Sequence, residues 1–350
     1  MDPAILRILD AGANRAREAL RVLEDCARFA KNNAALTTDL KNLRHDLAAA
    51  LATLPMDRAL QCRDIAQDVG TSIKTDSEFS RPGLSDLITA NAKRLTEALR
   101  SLEESAKTTN IAAAQHIERL RYRAYTLEQQ LTRDVLANSA QERFRGVRIY
   151  VLLTQTLCAP RTWEHTLDQI LASGLGHELC IQLREKEIPD GELLRRAIHF
   201  VHACKNAGVM SIINDRADIA LLSGASGVHV GQTDLDARML RDILGWDQVV
   251  GISTESLPQA YTAQSSGATY IAVGPMFPTT TKQKPRIAGP AYAAAALKEI
   301  PLPIVAIGGI TLANLPELKS VGVRTIAVSS AVLRASDPSQ LIRALYDALK

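Results

Sequence analysis

Asp215 and Asp234 are the residues of this chain best placed to do metal chemistry. Asp215 follows the apolar run Met210-Ser211-Ile212-Ile213, and Asp234 follows Gly227-Val228-His229-Val230-Gly231. Runs this short, apolar or β-branched and closed by polar or glycine residues, have the pattern of strands covered on both faces. Between them, Arg216 to Leu222 has helical spacing and stops at Gly224, a residue suited to a left-handed helix end. The unit reads strand, helix, strand, with each aspartate at the carboxyl end of a parallel strand, the edge where α/β barrels hold their active sites. Two hard oxygen ligands on adjacent loops suit Mg²⁺, which takes one or two protein carboxylates and fills its other positions with water and substrate phosphates. Aspartates in these positions also cap the helices that follow, so the stretch alone leaves both roles open.

The elements around this unit repeat the pattern. After residue 146 short apolar runs begin at Ile149, Leu179, Ser211, Gly227, Val249, Tyr270, Ile304 and Thr325, with helical stretches between them. Eight such units in roughly 200 residues predict a (β/α)8 TIM barrel. Polar residues gather beyond the strand ends: Arg184, Glu185 and Lys186, with Gln182 before them; then Asn214 and Asp215; then Gln232 and Asp234; then Ser253. Strand six is followed by GPMFPTTTKQKPR, strand seven by Gly308-Gly309 and strand eight by Ser329-Ser330. A glycine pair beside a serine-opened helix predicts a phosphate site, because glycine lets backbone N–H groups approach the anion and the helix start adds donors and a favourable dipole. A plain turn with a helix cap is the alternative. Arg184, Lys186 and Lys282 add cations to the rim, and with Mg²⁺ they can neutralise a second, more highly charged group facing the first. The Thr-, Lys- and Pro-rich loop Pro275 to Arg286 suits a closing lid or an ordinary surface loop.

Ahead of the barrel, Pro3 to about Glu142 carries helical spacing and almost no strand signal. Ile5, Leu6, Leu9, Ala13, Ala16, Leu20, Leu23 and Ala27 form one apolar stripe. The predicted organisation is an all-α bundle over 1–142 followed by the α/β barrel over 146–350, with the charged segment from Ser139 to Gly146 as the boundary. NRAREALRVLEDCAR (Asn14 to Arg28) matches KRLTEALRSLEESAK (Lys93 to Lys107), and Leu43-Arg44 has a fainter counterpart in Leu120-Arg121. Such a repeat suggests a bundle with approximate internal two-fold symmetry. Glu18, Arg21 and Glu24 lie along one helix side, either as a salt-bridged face or around a polar pocket shared with Arg15, Glu97 and Arg100. The halves are joined by Gln61 to Gly83, too polar and irregular for a helix, where Arg63, Asp64, Asp68, Gly70 and Thr71 could bind a phosphate or a metal.

Bulk composition narrows the class. A chain of 350 residues exceeds one ordinary core. Hydrophobic content of 46% with 23% charged residues marks a soluble globular protein, while 4% aromatic residues and a net charge of +3 argue against nucleic-acid binding through basic patches and stacking rings. The start MDPAILRILDAGANRARE carries charges where a signal peptide has an apolar core, and no apolar run approaches a membrane span. A cytoplasmic protein with no membrane association is expected. Cys26, Cys62, Cys158, Cys180 and Cys204 are odd in number and never form a CxxC pair, which argues against disulfides and zinc and predicts five buried thiols. A homo-oligomer is compatible with the sequence, which does not specify an oligomeric state.

The motifs QLREK (Gln182 to Lys186), INDRADIALLSGASGVHVGQTDL (Ile213 to Leu235), GIST (Gly251 to Thr254), VGPMFPTTTK (Val273 to Lys282), AIGGI (Ala306 to Ile310) and VSSAV (Val328 to Val332) together resemble the thiamine phosphate synthases. The resemblance covers essentially the whole barrel, with its motifs in family order. It implies a transferase that joins hydroxymethylpyrimidine diphosphate to hydroxyethylthiazole phosphate, two small-molecule substrates, and releases pyrophosphate. It further implies that Gln182, Arg184, Lys186, Asn214, Ser253 and Lys282 hold the pyrimidine diphosphate and that Asp215 and Asp234 bind Mg²⁺. Thr279, Thr281, Gly309, Ser329 and Ser330 would hold the thiazole phosphate. Ser226 and Asp236 depart from the family pattern at positions that are not ligands. No Ser-His-Asp or Cys-His set is evident, and the implied chemistry needs none. The pyrimidine methylene can carry positive charge as pyrophosphate leaves, the thiazole nitrogen attacks without deprotonation, and Arg184, Lys186 and Lys282 with Mg²⁺ stabilise the leaving group. A thiazole tautomerase, whose barrel is closely similar, would need no diphosphate site, and a catalytically silent thiazole-phosphate sensor is a reading from another class. Through RAREALRVLED (Arg15 to Asp25) and the RD and DVGT stretches (Arg63-Asp64, Asp68 to Thr71), the first domain is similar to the helical domain fused ahead of some members. That resemblance implies a hydroxymethylpyrimidine phosphate kinase; a scaffold is the alternative.

Overall fold

The computed structural model describes residues 1–30, 32–64, 83–279 and 287–350. Asp68, Gly70, Thr71, Thr281 and Lys282, singled out from the sequence, lie outside the described residues. The chain divides into two compact units, Met1–Leu136 and Ala137–Lys350.

The first unit is built on α1 (Pro3–Asp25), α2 (Ala34–Ala52), α3 (Met56–Gln61), α4 (Leu84–Lys107) and α5 (Ile111–Arg145). Proline opens α1, where its missing N–H costs nothing, and Asp2 caps it by accepting from the Ala4 N–H at 2.8 Å. The stripe is buried from Leu6 of α1 to Ala27 just beyond it, against leucines of α2 and α4, with Ile5 only half-buried at its edge. Helix α5 runs straight through the expected boundary segment, since ANSAQERFR contains no glycine or proline before Gly146. The division between units therefore falls inside a helix rather than in a linker.

The internal repeat is realised as a duplicated ion pair on a buried glutamate. Arg44 of α2 meets Glu24 of α1 at 2.9 Å, and Arg121 of α5 meets Glu103 of α4 at 3.0 Å. Each glutamate also takes the arginine one turn before it, Arg21 at 3.7 Å and Arg100 at 2.6 Å. The repeat charges Arg21, Glu24 and Arg100 thus form a salt-bridged face rather than the wall of a pocket. Glu103 is 2% exposed, so Glu103→Ala would take the carboxylate from the buried Arg121 and leave it with the Tyr125 hydroxyl and the rings of Tyr122 and Tyr125. That change is expected to lower stability by about 3 kcal/mol or more, read as a urea midpoint. Glu104→Ala, at a half-exposed neighbour, should cost under about 1 kcal/mol.

The second unit is a closed parallel barrel in chain order: β1 (Ile149–Leu153), β2 (Leu179–Leu183), β3 (Met210–Asn214), β4 (Gly227–Val230), β5 (Val249–Thr254), β6 (Tyr270–Val273), β7 (Ile304–Ile307) and β8 (Ile326–Val328). β8 closes onto β1, with Ile326 opposite Ile149. Alternation sorts each strand. Tyr150, Cys180, Ile212, Val249, Tyr270 and Ala272 fill the interior with Phe144, while Ile149, Val151, Ile181 and Leu183 pack outward. Phe144 stacks on Tyr270 at 3.9 Å. Gly251 makes room for that ring, since a Cβ there would overlap Tyr270. Among the described residues no helix is long and apolar enough to cross a membrane. None of the five cysteines is in a disulfide; four are buried, whereas Cys62 is partly exposed where α3 stops.

Candidate active site

The β3 and β4 ends bring the two predicted metal ligands onto neighbouring loops. Asn214 pairs with His229 in the ladder, and the Asp215 N–H extends it by donating to the His229 carbonyl at 2.8 Å. Asp215 has a left-handed backbone, φ 61°, a conformation aspartate tolerates better than most residues. It does not cap a helix: Arg216 occupies the cap of Ala217–Ser223 without a side-chain bond. Nor does Asp234, because Asp236 caps the next helix by accepting from Met239 N. The capping role left open by the sequence thus belongs to neither. Asp234 instead accepts from the Gly231 N–H at 2.8 Å and lies exposed on its loop. Lys186, beyond β2, reaches Asp215 at 2.9 Å.

Among the described residues no group of three or more His, Cys, Asp or Glu side chains could hold a metal. Two hard carboxylates with open positions fit a Mg²⁺ that draws its remaining ligands from water and phosphate, and they do not fit zinc. Glu185, between the rim cations, points away: its side chain is 6% exposed, accepts from Gln155 N at 2.7 Å and faces Arg196 at 3.8 Å.

Across the rim, a cavity of about 350 Å³ is lined by Gly308, Gly309, Ser329, Ser330, Thr279 and Arg184, among others. The glycine pair has φ of 106° and 65°, and a side chain at either position would run into Pro275 or the Pro278 carbonyl. Asn314 pins the turn by donating to the Gly309 carbonyl at 2.8 Å. Ser329 donates to the Leu152 carbonyl at 3.0 Å, so no side chain caps the one-turn helix Ser330–Leu333. Arg184, expected beside Lys186, faces this cavity as well. Thr154, Thr156 and Arg334 also line it and were missed by sequence reasoning. Thr154 follows β1 directly, so the strand-end rule could have found it, and Arg334 lies one helical turn beyond Ser330.

Gln182 and Ser253 end a polar chain through the barrel interior. Gln182 donates to the Tyr150 hydroxyl at 2.9 Å, Tyr150 and Tyr270 share a 2.9 Å bond, Tyr270 meets His229 Nδ1 at 2.8 Å, and His229 Nε2 meets Ser253 at 2.9 Å. Burial pushes both tyrosine hydroxyls well above their ordinary pKa, so they remain neutral.

Residues 149–332 match the family described as thiamine monophosphate synthase, and residues 7–130 match the ThiD2 family. The thiamine-phosphate synthase of Thermosynechococcus vestitus is 37% identical over 97% of this chain and 93% of its own length. That of Rhodopirellula baltica is 38% identical over 94% of this chain and 88% of its own. The thiamine phosphate pyrophosphorylase of Pyrococcus furiosus superposes with a TM-score of 0.53 at 28% identity, covering 59% of this chain and 96% of that structure. A closed barrel carrying these rim residues, together with full-length relatives at this identity, establishes that the chain belongs to the thiamine monophosphate synthase family.

Proposed function

We propose that this chain is a cytoplasmic transferase that condenses 4-amino-2-methyl-5-hydroxymethylpyrimidine diphosphate with 4-methyl-5-hydroxyethylthiazole phosphate, giving thiamine phosphate and pyrophosphate. The observation that carries the reading is one strand-end rim that holds both the Gly308 to Ser330 cavity and the Lys186–Asp215 ion pair, with Asp234 on the loop after the next strand. Gly309, Thr279, Ser329 and Ser330, with Thr281, hold the thiazole phosphate. Gln182, Arg184, Asn214, Ser253, Lys186 and Lys282 hold the pyrimidine diphosphate, although Arg184 also lines the first cavity. Asp215 and Asp234 hold Mg²⁺, which when bound supplies positive charge against the departing pyrophosphate. Lys186 and Arg184 add fixed positive charge at the same rim, where transition-state charge develops. Isothermal titration separates this reading from a tautomerase or a sensor. The synthase reading expects pyrimidine diphosphate to bind with an affinity that falls when Mg²⁺ is withheld; heat from thiazole phosphate alone would contradict it.

For the helical unit, the reading is a phosphomonoester site that converts hydroxymethylpyrimidine phosphate to the diphosphate. A cavity of about 760 Å³ beside α1 is lined by Arg7, Asp10, Arg15, Arg63, Asp64 and Ser101. Glu18, Arg21, Glu97 and Arg100, grouped with it from the sequence, do not line it. Arg63 clamps the buried Asp10 through two bonds of 2.6 and 2.7 Å. The repeat breaks here: Arg15 matches Arg94, so Asp10 matches Thr89, and the cavity of about 370 Å³ that shares the repeat positions of Ser101 and Ile8 carries one charged side chain, being lined by Val22, Asp25, Cys26, Phe29, Ala30 and Leu87. Stability alone would be served by two alike halves, so the charged one is read as the ligand site. With full-length protein, ATP and Mg²⁺, Arg63→Ala should lower diphosphate formation at least roughly tenfold, followed by ³¹P NMR, with the condensation of supplied diphosphate unchanged. Equal conversion by both proteins would remove the site.

A further inference from the structure

We propose that Tyr150, Tyr270 and His229 are positioning residues that form a one-way hydrogen-bond relay, setting Gln182 to accept from its ligand and Ser253 to donate to it. The inference rests on the synthase reading and deepens it by assigning specificity for a pyrimidine with an exocyclic amine.

The direction follows from the inventory of donors and acceptors. The Gln182 amide nitrogen can only donate, and it donates to the Tyr150 oxygen at 2.9 Å. The Tyr150 proton therefore goes to Tyr270, 2.9 Å away, and the Tyr270 proton goes to His229 Nδ1 at 2.8 Å. With Nδ1 accepting, a neutral His229 carries its proton on Nε2, which donates to the Ser253 oxygen at 2.9 Å. The Ser253 hydrogen is then aimed away from the relay. At the other end Gln182 Oε1 is buried without a hydrogen-bond partner, a cost a folded barrel ordinarily avoids. It fits a site awaiting a donor.

Both ends belong to the carboxyl half of the barrel, Gln182 on β2 two residues before Arg184 and Ser253 on β5. The middle of the relay is locked: Tyr270 is fully buried, stacked on Phe144 at 3.9 Å, and fits only because residue 251 is glycine. An aminopyrimidine presents a donor to Gln182 Oε1, whereas its oxo analogue presents an acceptor and leaves two acceptors facing. Reversing the preference would require all five groups to turn together. A site whose buried polar groups are fixed in this way discriminates strongly, because the wrong ligand leaves them unpaired.

The test uses full-length protein. ¹⁵N NMR of histidine-labelled wild type, with His229→Asn to assign the signal, should show His229 protonated on Nε2 and bare on Nδ1, and Tyr270→Phe should shift both signals. Tyr270→Phe and Tyr150→Phe, each keeping its ring, should lower kcat/KM for the aminopyrimidine diphosphate roughly tenfold to hundredfold and narrow its advantage over the oxo analogue. The KM for thiazole phosphate and the thermal midpoint should move little. A wild-type His229 protonated on Nδ1, or two folded variants with unchanged discrimination, overturns the relay. A wild type that turns over neither pyrimidine sinks the synthase reading instead, and the histidine tautomer still decides the relay's direction.

Discussion

Asp215→Asn and Asp234→Ala should each cut turnover by about three orders of magnitude at ordinary Mg²⁺. Each removes one of the two carboxylates proposed to hold the metal, and Lewis-acid stabilisation of a leaving phosphoryl oxygen contributes several kcal/mol. Asparagine is chosen at 215 because it adopts the left-handed backbone found there, φ 61°. A loss of activity then reports charge rather than a broken turn. The Asp215 partner Lys186 is half-exposed, so losing their ion pair costs little stability, and the thermal midpoint should barely move. Partial recovery at high Mg²⁺ would mark weakened metal binding. Near-normal turnover in both variants, measured as pyrophosphate release, would remove the metal assignment.

Ser330→Glu is expected to raise the KM for thiazole phosphate by at least roughly a hundredfold. The side chain opens the helix that lines the cavity shared with Gly308, Gly309 and Arg184. A carboxylate there meets the phosphate as a like charge a few ångströms away in a partly desolvated site, worth several kcal/mol. Ser330→Ala, which keeps the backbone N–H, should cost only a few-fold. Since Glu also fits the first turn of a helix, the variant is expected to fold, and its KM for the pyrimidine diphosphate should stay near that of wild type. An unchanged KM for thiazole phosphate would move the phosphate elsewhere.

Much of this was legible because strands covered on both faces leave strong traces. Each of the eight apolar runs is a strand, and among the described residues beyond strand ends Arg184, Gly309, Ser329 and Ser330 line one cavity. What stayed hidden depended on partners far apart in sequence. Whether Asp215 and Asp234 cap helices depended on where those helices begin, which Asp236 decided for the second. The repeat charges could form a pocket or ion pairs, and the choice rested on Arg44 and Arg121 arriving from other helices. Glu185 reads as a rim charge beside Arg184 and Lys186 yet is held inward by Gln155. Tyr150, Tyr270 and His229 sit inside apolar runs, where a tyrosine or histidine reads as core filling, and only barrel closure joins them. The charged segment from Ser139 to Gly146 reads as a boundary, yet nothing in it breaks a helix before Gly146, and α5 continues to Arg145.

The most direct measurement combines pure full-length protein, both substrates and Mg²⁺, and quantifies thiamine phosphate and pyrophosphate together. The account predicts that the two products appear in equal amounts, that omitting either substrate abolishes both, and that Asp215→Asn suppresses them in parallel. Pyrophosphate without thiamine phosphate, or neither product from a folded wild-type protein, would contradict it.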